Sequence, residues 1–238
     1  MMRRIADLNA LGEVDVLSAA ECAEVVATVL EMRGQWISRS KSGAFATLGV
    51  NAYMDLASQN DPDASYFDAA RMTNAVLEDC FTHLYTTLAE VLQVELGLLV
   101  RYTEDLALPG FHIWVANAIP QRADASVHFD LQYLRLLDRP KYAGATGTVS
   151  FTMPVRLPAA GSSLRVWPGY RYLDMARQVA TARETEPEVV PYRVGSALVH
   201  SGHLLHQIGV TPSVRPDDLR ITLQGHGLVV DDDLILYW

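Results

Sequence analysis

The chain has 238 residues, 50% of them apolar and 20% charged, and 28 acidic against 19 basic side chains give a formal net charge of −9. At roughly 150 residues per domain this length suits one large domain, and an apolar half excludes intrinsic disorder. The acidic balance argues against nucleic acid or an anionic membrane as partner, no run reaches the ~18 apolar residues of a membrane helix, and Cys22 and Cys80 are too few for a thiolate zinc site.

In chain order, residues 1–15 carry two arginines, but acidic residues break any apolar h-region, so the expectation is a cytoplasmic protein. Ser18-Ala-Ala-Glu21 forms a capping box, after which Cys22, Val25, Val26, Val29 and Leu30 share one helical face. Residues 33–60 are rich in Ser, Gly and Ala without a sustained period and read as a mobile loop covering something. A longer helix over 66–96 follows, with Leu77, Cys80, Phe81, Leu84, Leu88, Val91 and Leu92 as its core stripe. His83 lies off that stripe and reads as a surface residue.

From Pro109 onward the pattern changes to period two. Strands are expected over 111–118, 126–133, 147–154, 163–168, 194–201, 205–210 and 219–229, with a final run at 234–238. The acidic run Asp231-Asp232-Asp233 reads as a solvated turn, and Trp238 either closes over a site or packs at the surface. Helices followed by seven or eight short strands predict a single domain over 1–238, mainly β with α. A helical part at about 1–108 would buttress a closed or double-layered antiparallel core at about 109–238.

The polar faces of these strands are unusual. Alternation puts Ser126, His128, Asp130 and Gln132 on one side of the second strand, Thr148, Ser150 and Thr152 on one side of the third, and Arg220, Thr222, Gln224 and His226 together further on. Solvent-facing stripes in an acidic protein would be dominated by Glu, Lys and Asp, so this mixture of His, Thr, Ser, Gln and one Arg suits a wet interior cavity better than a solvated face.

His128-Phe129-Asp130 is an HxD triplet, whose imidazole and carboxylate would share one side of a strand and one metal ion. Alone it is common by chance. Four of the seven histidines, His200, His203, His206 and His226, cluster later in the chain, and a third ligand from there would give two histidines and one carboxylate on one face of a metal. Arg220 with Thr222 offers a clamp for a carboxylate.

In this order of motifs the sequence resembles the iron(II)- and 2-oxoglutarate-dependent dioxygenases, whose pattern is HxD, a distal His, then Arg followed by Ser or Thr. The resemblance implies a double-stranded β-helix (jelly-roll) core, Fe(II), 2-oxoglutarate as co-substrate and O2. It makes His128 and Asp130 iron ligands, and Arg220 with Thr222 the holders of the 2-oxoglutarate 5-carboxylate. His206, following the Gly202 turn and opening an apolar strand, is favoured as distal ligand over His203 and His200. The segments around Ala44–Gly49, Leu108–Trp114, His128–Tyr133 and Arg220–Gly225 look most like the small freestanding enzymes that functionalise free amino acids or similar metabolites. Halogenases of that subgroup carry glycine in place of the metal-binding carboxylate; Asp130 therefore points to hydroxylation or a related oxidation of an unactivated C–H bond.

Substrate contacts are expected among His112, Trp114, Arg122, Gln132, Gln224 and His226, each with a structural or surface role as its alternative. A small-molecule substrate is the expected partner. Two other functions stay open at this point: a cupin-like metal oxygenase or isomerase without 2-oxoglutarate, and a noncatalytic jelly-roll binding module.

Overall fold

In the computed structural model, which describes residues 11–56, 64–170 and 174–238, the capping box closes as its residues require. The Glu21 N–H donates to Ser18 Oγ at 3.3 Å and the Ser18 N–H donates to the Glu21 carboxylate at 2.7 Å, starting helix α1 (Ala19–Glu31). Preceding it is strand β1 (Gly12–Asp15), and following it are β2 (Ile37–Ser38), β3 (Phe45–Leu48) and a single-turn helix α2 (Ala52–Asp55). Helix α3 (Ala64–Leu96) is two helical stretches joined at Phe81, whose φ of −128° and ψ of 26° leave the helical region. The β core then runs through β4 (Leu99–Arg101), β5 (Gly110–Val115), β6 (Gly147–Arg156) and β7 (Ser163–Trp167), and after helix α4 (Met175–Ala182) through β8 (Glu188–Pro191), β9 (Ser196–His200), β10 (Leu205–Ile208), β11 (Leu219–Val230) and β12 (Asp233–Tyr237).

Among the described residues the strands form two sheets. The larger has nine strands in the order β1-β9-β6-β11-β5-β3-β2, with β12 pairing the far end of β11 and β4 pairing β12; the smaller is β10-β7-β8. All pairings are antiparallel except β12 with β4. The long β11 is the axis of the large sheet, with β6 along one edge and β5 then β12 along the other.

Period two decides what each face of this sheet meets. Phe111, Ile113, Val149, Phe151, Met153, Val155, Val199, Ile221 and Leu223 form one core with Leu77, Phe81, Leu84, Leu88 and Leu92 of α3 and with Cys22 and Val29 of α1. The alternate residues, His112, Trp114, Ser150, Thr152, His200, Arg220, Gln224 and His226, face a cavity of about 550 Å³ that Leu164, His206 and Ile208 of the small sheet also line. The polar stripes of β6 and β11 are interior, while Ser126 and His128 line the cavity from exposed positions.

The structure corrects several expectations. Residues 126–133 are not a strand: His128 makes a single antiparallel bridge to His206, their N–H and C=O groups exchanged at 3.0 Å, before the chain turns into a 3-10 helix at Gln132–Arg135. The Asp130 N–H donates to Gly202 O at 2.9 Å, which takes the backbone out of register with β10. The alternation there reflects residues serving the cavity and not a ladder. Residues 33–56 hold β2, β3 and α2 instead of being a featureless loop, and these elements are too short for periodicity to reveal; residues 57–60 of that segment, like 1–10, lie outside the described residues. Cys80 is exposed and leaves the α3 core stripe. The strand expected over 111–118 ends at Val115, where a 3-10 turn over Ala116–Ala118 begins.

Trp238 settles inside. It is fully buried, its indole filling space that Gly110 leaves free: a Cβ at Gly110 would meet the Trp238 ring at 2.2 Å. Its ring centroid lies 5.3 Å from that of His112, so it packs behind one of the cavity-lining residues.

Candidate metal and substrate site

His128, Asp130 and His206 each present one ligand atom, and these atoms lie within 4.8 Å of one another. The bridge between the HxD segment and β10 creates this meeting, because His128 and His206 are direct partners across it. Their ring centroids are 4.4 Å apart, and Asp130 oxygens stand 3.7 Å from His128 Nε2 and 3.6 Å from His206 Nε2. Gly202 permits the approach: a Cβ there would sit 2.6 Å from the Asp130 carbonyl oxygen.

The second nitrogen of each imidazole fixes its tautomer. His206 Nδ1 donates to Leu204 O at 2.9 Å and His128 Nδ1 to Ser126 O at 3.1 Å, so both Nε2 lone pairs are free to bind a cation. Burial pushes His206 down to about 3, keeping it neutral. Burial alone would raise Asp130, but its attraction to the imidazoles of His206, His226, His128 and His200, felt as they gain protons, outweighs burial and holds the carboxyl well below its usual range. Two imidazole nitrogens and an ionised carboxylate are a donor set for a divalent transition metal.

The other histidines of the cluster have different partners. His200 is buried, with Nδ1 donating to Ser201 O at 2.7 Å, and His203 pairs with the Tyr133 hydroxyl at 2.8 Å. Neither belongs to the three-residue group.

Arg220 lies 1% exposed on the cavity face of β11, next to an irregularity in the β6–β11 register. Its Nε and Nη1 have no hydrogen-bond partner, and neither does Thr222 Oγ1 on the same face. A buried guanidinium with open donors is costly unless something anionic completes it. Its one protein neighbour of note is Tyr192, whose ring centroid is 5.5 Å away and whose hydroxyl hydrogen-bonds both Arg220 and Thr152. Sequence inspection missed Tyr192, which sits just before β9 with no spacing relation to Arg220.

The remaining expected residues divide. His112, Trp114, Gln132, Gln224 and His226 all line the cavity, whereas Arg122 is exposed and does not. The loop bearing Arg122 is pinned by Gln207, whose amide donates to Ala123 O at 3.2 Å and Ala125 O at 2.6 Å. His226 Nδ1 meets Ser150 Oγ at 3.1 Å, and His112 Nε2 meets the Tyr53 hydroxyl of α2 at 2.5 Å. Burial drives His112 down to about 3 and lifts the Tyr53 hydroxyl well above its ordinary value, so the hydroxyl donates and the imidazole accepts. Tyr53, Met54, Phe45 and Arg135 also line the cavity, and none was singled out from sequence. His83 is exposed and pairs with Glu21 of the capping box at 3.0 Å.

No protein-family model matches the chain, and no curated protein matches it. Solved structures do. An N-substituted L-amino acid dioxygenase from Burkholderia ambifaria superposes with a TM-score of 0.61 at 15% identity, over 98% of this chain and 90% of that one. The non-haem alpha-ketoglutarate-dependent epimerase of nogalamycin biosynthesis gives 0.51 at 16% identity, over 94% of this chain and 84% of that one. The chain has their fold. At this identity the likeness speaks for architecture, and the chemistry rests on the residues of the cavity.

Proposed function

We propose that the protein is an Fe(II)- and 2-oxoglutarate-dependent oxygenase with a double-stranded β-helix core, hydroxylating an unactivated C–H bond of a small metabolite such as an amino acid or its derivative. The observation that carries this reading is one cavity holding both the His128–Asp130–His206 group and the open donors of buried Arg220. The donor chemistry fits the groups: two imidazole nitrogens and a carboxylate suit Fe(II), and a guanidinium with a neighbouring hydroxyl suits a dicarboxylate's far end. A metal oxygenase without 2-oxoglutarate gives no reason for the two open donors of the buried guanidinium. When bound, iron with 2-oxoglutarate and O2 supplies the oxidising power, releasing succinate and CO2.

The chain's own contribution follows from its contacts. His128, Asp130 and His206 hold the metal, their tautomers set by Ser126 O and Leu204 O. Arg220 and Thr222, with Tyr192 alongside, anchor the 5-carboxylate and so fix where the other end of the co-substrate reaches. Phe45, Tyr53, Met54 and Trp114 limit water on the substrate side.

Anaerobic titration of the metal-free protein with Fe(II) and 2-oxoglutarate tests the proposal. A weak visible charge-transfer band requiring both is expected, and His128→Ala, Asp130→Ala and His206→Ala should each abolish it. A wild-type protein without the band, or variants that retain it, would sink the reading.

A further inference from the structure

The described lining of the cavity carries three formally charged side chains, Asp130, Arg220 and Arg135. Two have roles under the function proposed above, on which this inference rests. Arg135 has none. It ends the 3-10 helix Gln132–Arg135 that follows Asp130, and its Nη1 donates to Leu56 O at 2.7 Å. Leu56 is the C-cap of α2, so this bond ties the HxD segment to the helix bearing Tyr53 and Met54. With one donor so fixed, the guanidinium plane is oriented and its other donors remain; among the described residues it forms no ion pair.

The same end of the cavity is flat and apolar. Phe45 and Trp114 stack with centroids 4.0 Å apart and planes 20° off parallel. Across from the sheet, Tyr53 and Met54 leave 40% and 39% of their surface exposed on a helix of only four residues. Exposed apolar groups lining a concave wall beside an oriented cation describe a complement for an amphiphilic anion.

We propose that Arg135 binds a carboxylate of the substrate while the substrate's apolar or aromatic body lies against Phe45, Trp114, Tyr53 and Met54, which makes the substrate a small carboxylic acid. Arg135 is then the specificity residue on the substrate side, separate from Arg220 on the co-substrate side. Which carbon is oxidised follows from how far the body extends from this anchor.

The test uses 3-phenylpropionate and its amide, titrated calorimetrically into the metal-free full-length protein. The acid should bind and the amide bind at least tenfold more weakly, about 1.4 kcal/mol. Arg135→Gln should weaken the acid by the same factor, Arg135→Lys should recover part of it, and Arg122→Gln, at an exposed arginine outside the cavity, should leave it in place. Thermal melts establish that each variant is folded, and Arg135→Lys, which keeps a donor for Leu56 O, carries the comparison if the glutamine variant melts early. No binding of the acid at millimolar concentration, equal binding of the amide, or binding abolished by Arg220→Gln but not by Arg135→Gln would each overturn the proposal. Because these titrations contain no iron, they read independently of the charge-transfer band: a missing band with an intact Arg135 dependence rejects the oxygenase reading alone.

Discussion

Arg220 brings a full charge into the interior with two of its donor atoms unanswered. Tyr192 offers a ring face and a hydroxyl, which offsets only part of the desolvation. Such a site costs stability in the free protein and gains it when an anion arrives. Arg220→Met should therefore raise the melting temperature of the free protein, since a group of similar reach replaces an incompletely paired charge. Adding 2-oxoglutarate with a divalent metal should raise the melting temperature of the wild type and leave that of the variant nearly unmoved. A conservative Arg220→Lys should show a KM for 2-oxoglutarate at least tenfold higher, because a point charge cannot reproduce the fork. A melting temperature that falls in Arg220→Met would mean the guanidinium is already paired within the fold. Arg220 itself was visible in the sequence, through its motif spacing. Tyr192, Tyr53 and Arg135 were not, because each reaches the cavity from a different element and no short-range pattern connects them.

At the scale of elements, the cavity depends on how closely β5 is backed. Gly110 opens β5, and Trp238 and Leu48 press against the place its Cβ would occupy, at 2.2 and 2.7 Å. Trp238 cannot retreat easily: its backbone N–H donates to Ala107 O at 2.9 Å and its carbonyl oxygen accepts from the Ala52 N–H at 2.8 Å and the Tyr66 hydroxyl at 2.9 Å. Gly110→Ala should thus destabilise the protein by about 1–3 kcal/mol, as overpacking does, and the displaced indole should disturb His112 beside it. Chemical denaturation measures the first effect; an unchanged midpoint would show that the ring has room to move. The same elements explain what could be read ahead of the structure. The capping box and the α3 stripe named their helices because caps and 3.6-residue periods are local. The long β6 and β11 showed their inner faces because period two survives over ten and twelve residues. Strands such as β2, with two residues, or β4, with three, owe their existence to partners distant in sequence and carry no period of their own. The HxD segment misled for a related reason: its alternation is dictated by the cavity, while its backbone makes one bridge only.

For the molecule as a whole, lining a cavity with buried neutral histidines ties stability to pH. Burial pushes His112 down to about 3 and His226 to about 4, against an ordinary histidine value near 6.5 in the unfolded chain. Between those limits the unfolded chain binds more protons than the folded one, so stability is complete above about pH 6.5 and is lost as pH falls toward the folded values. At pH 5 each of the two should cost about 2 kcal/mol, together a large share of the 5–15 kcal/mol typical of a domain. Asp130, also held below its usual range, loses stability in the same direction at lower pH. Urea denaturation of the metal-free protein at pH 7.5 and pH 5.0 should show this loss. His112→Gln keeps an acceptor for the Tyr53 hydroxyl and removes one titrating group, so its loss over the same interval should be smaller by about 2 kcal/mol. If the variant and the wild type lose equal stability, His112 is protonated in the folded state, and the Tyr53 hydroxyl does not donate to it.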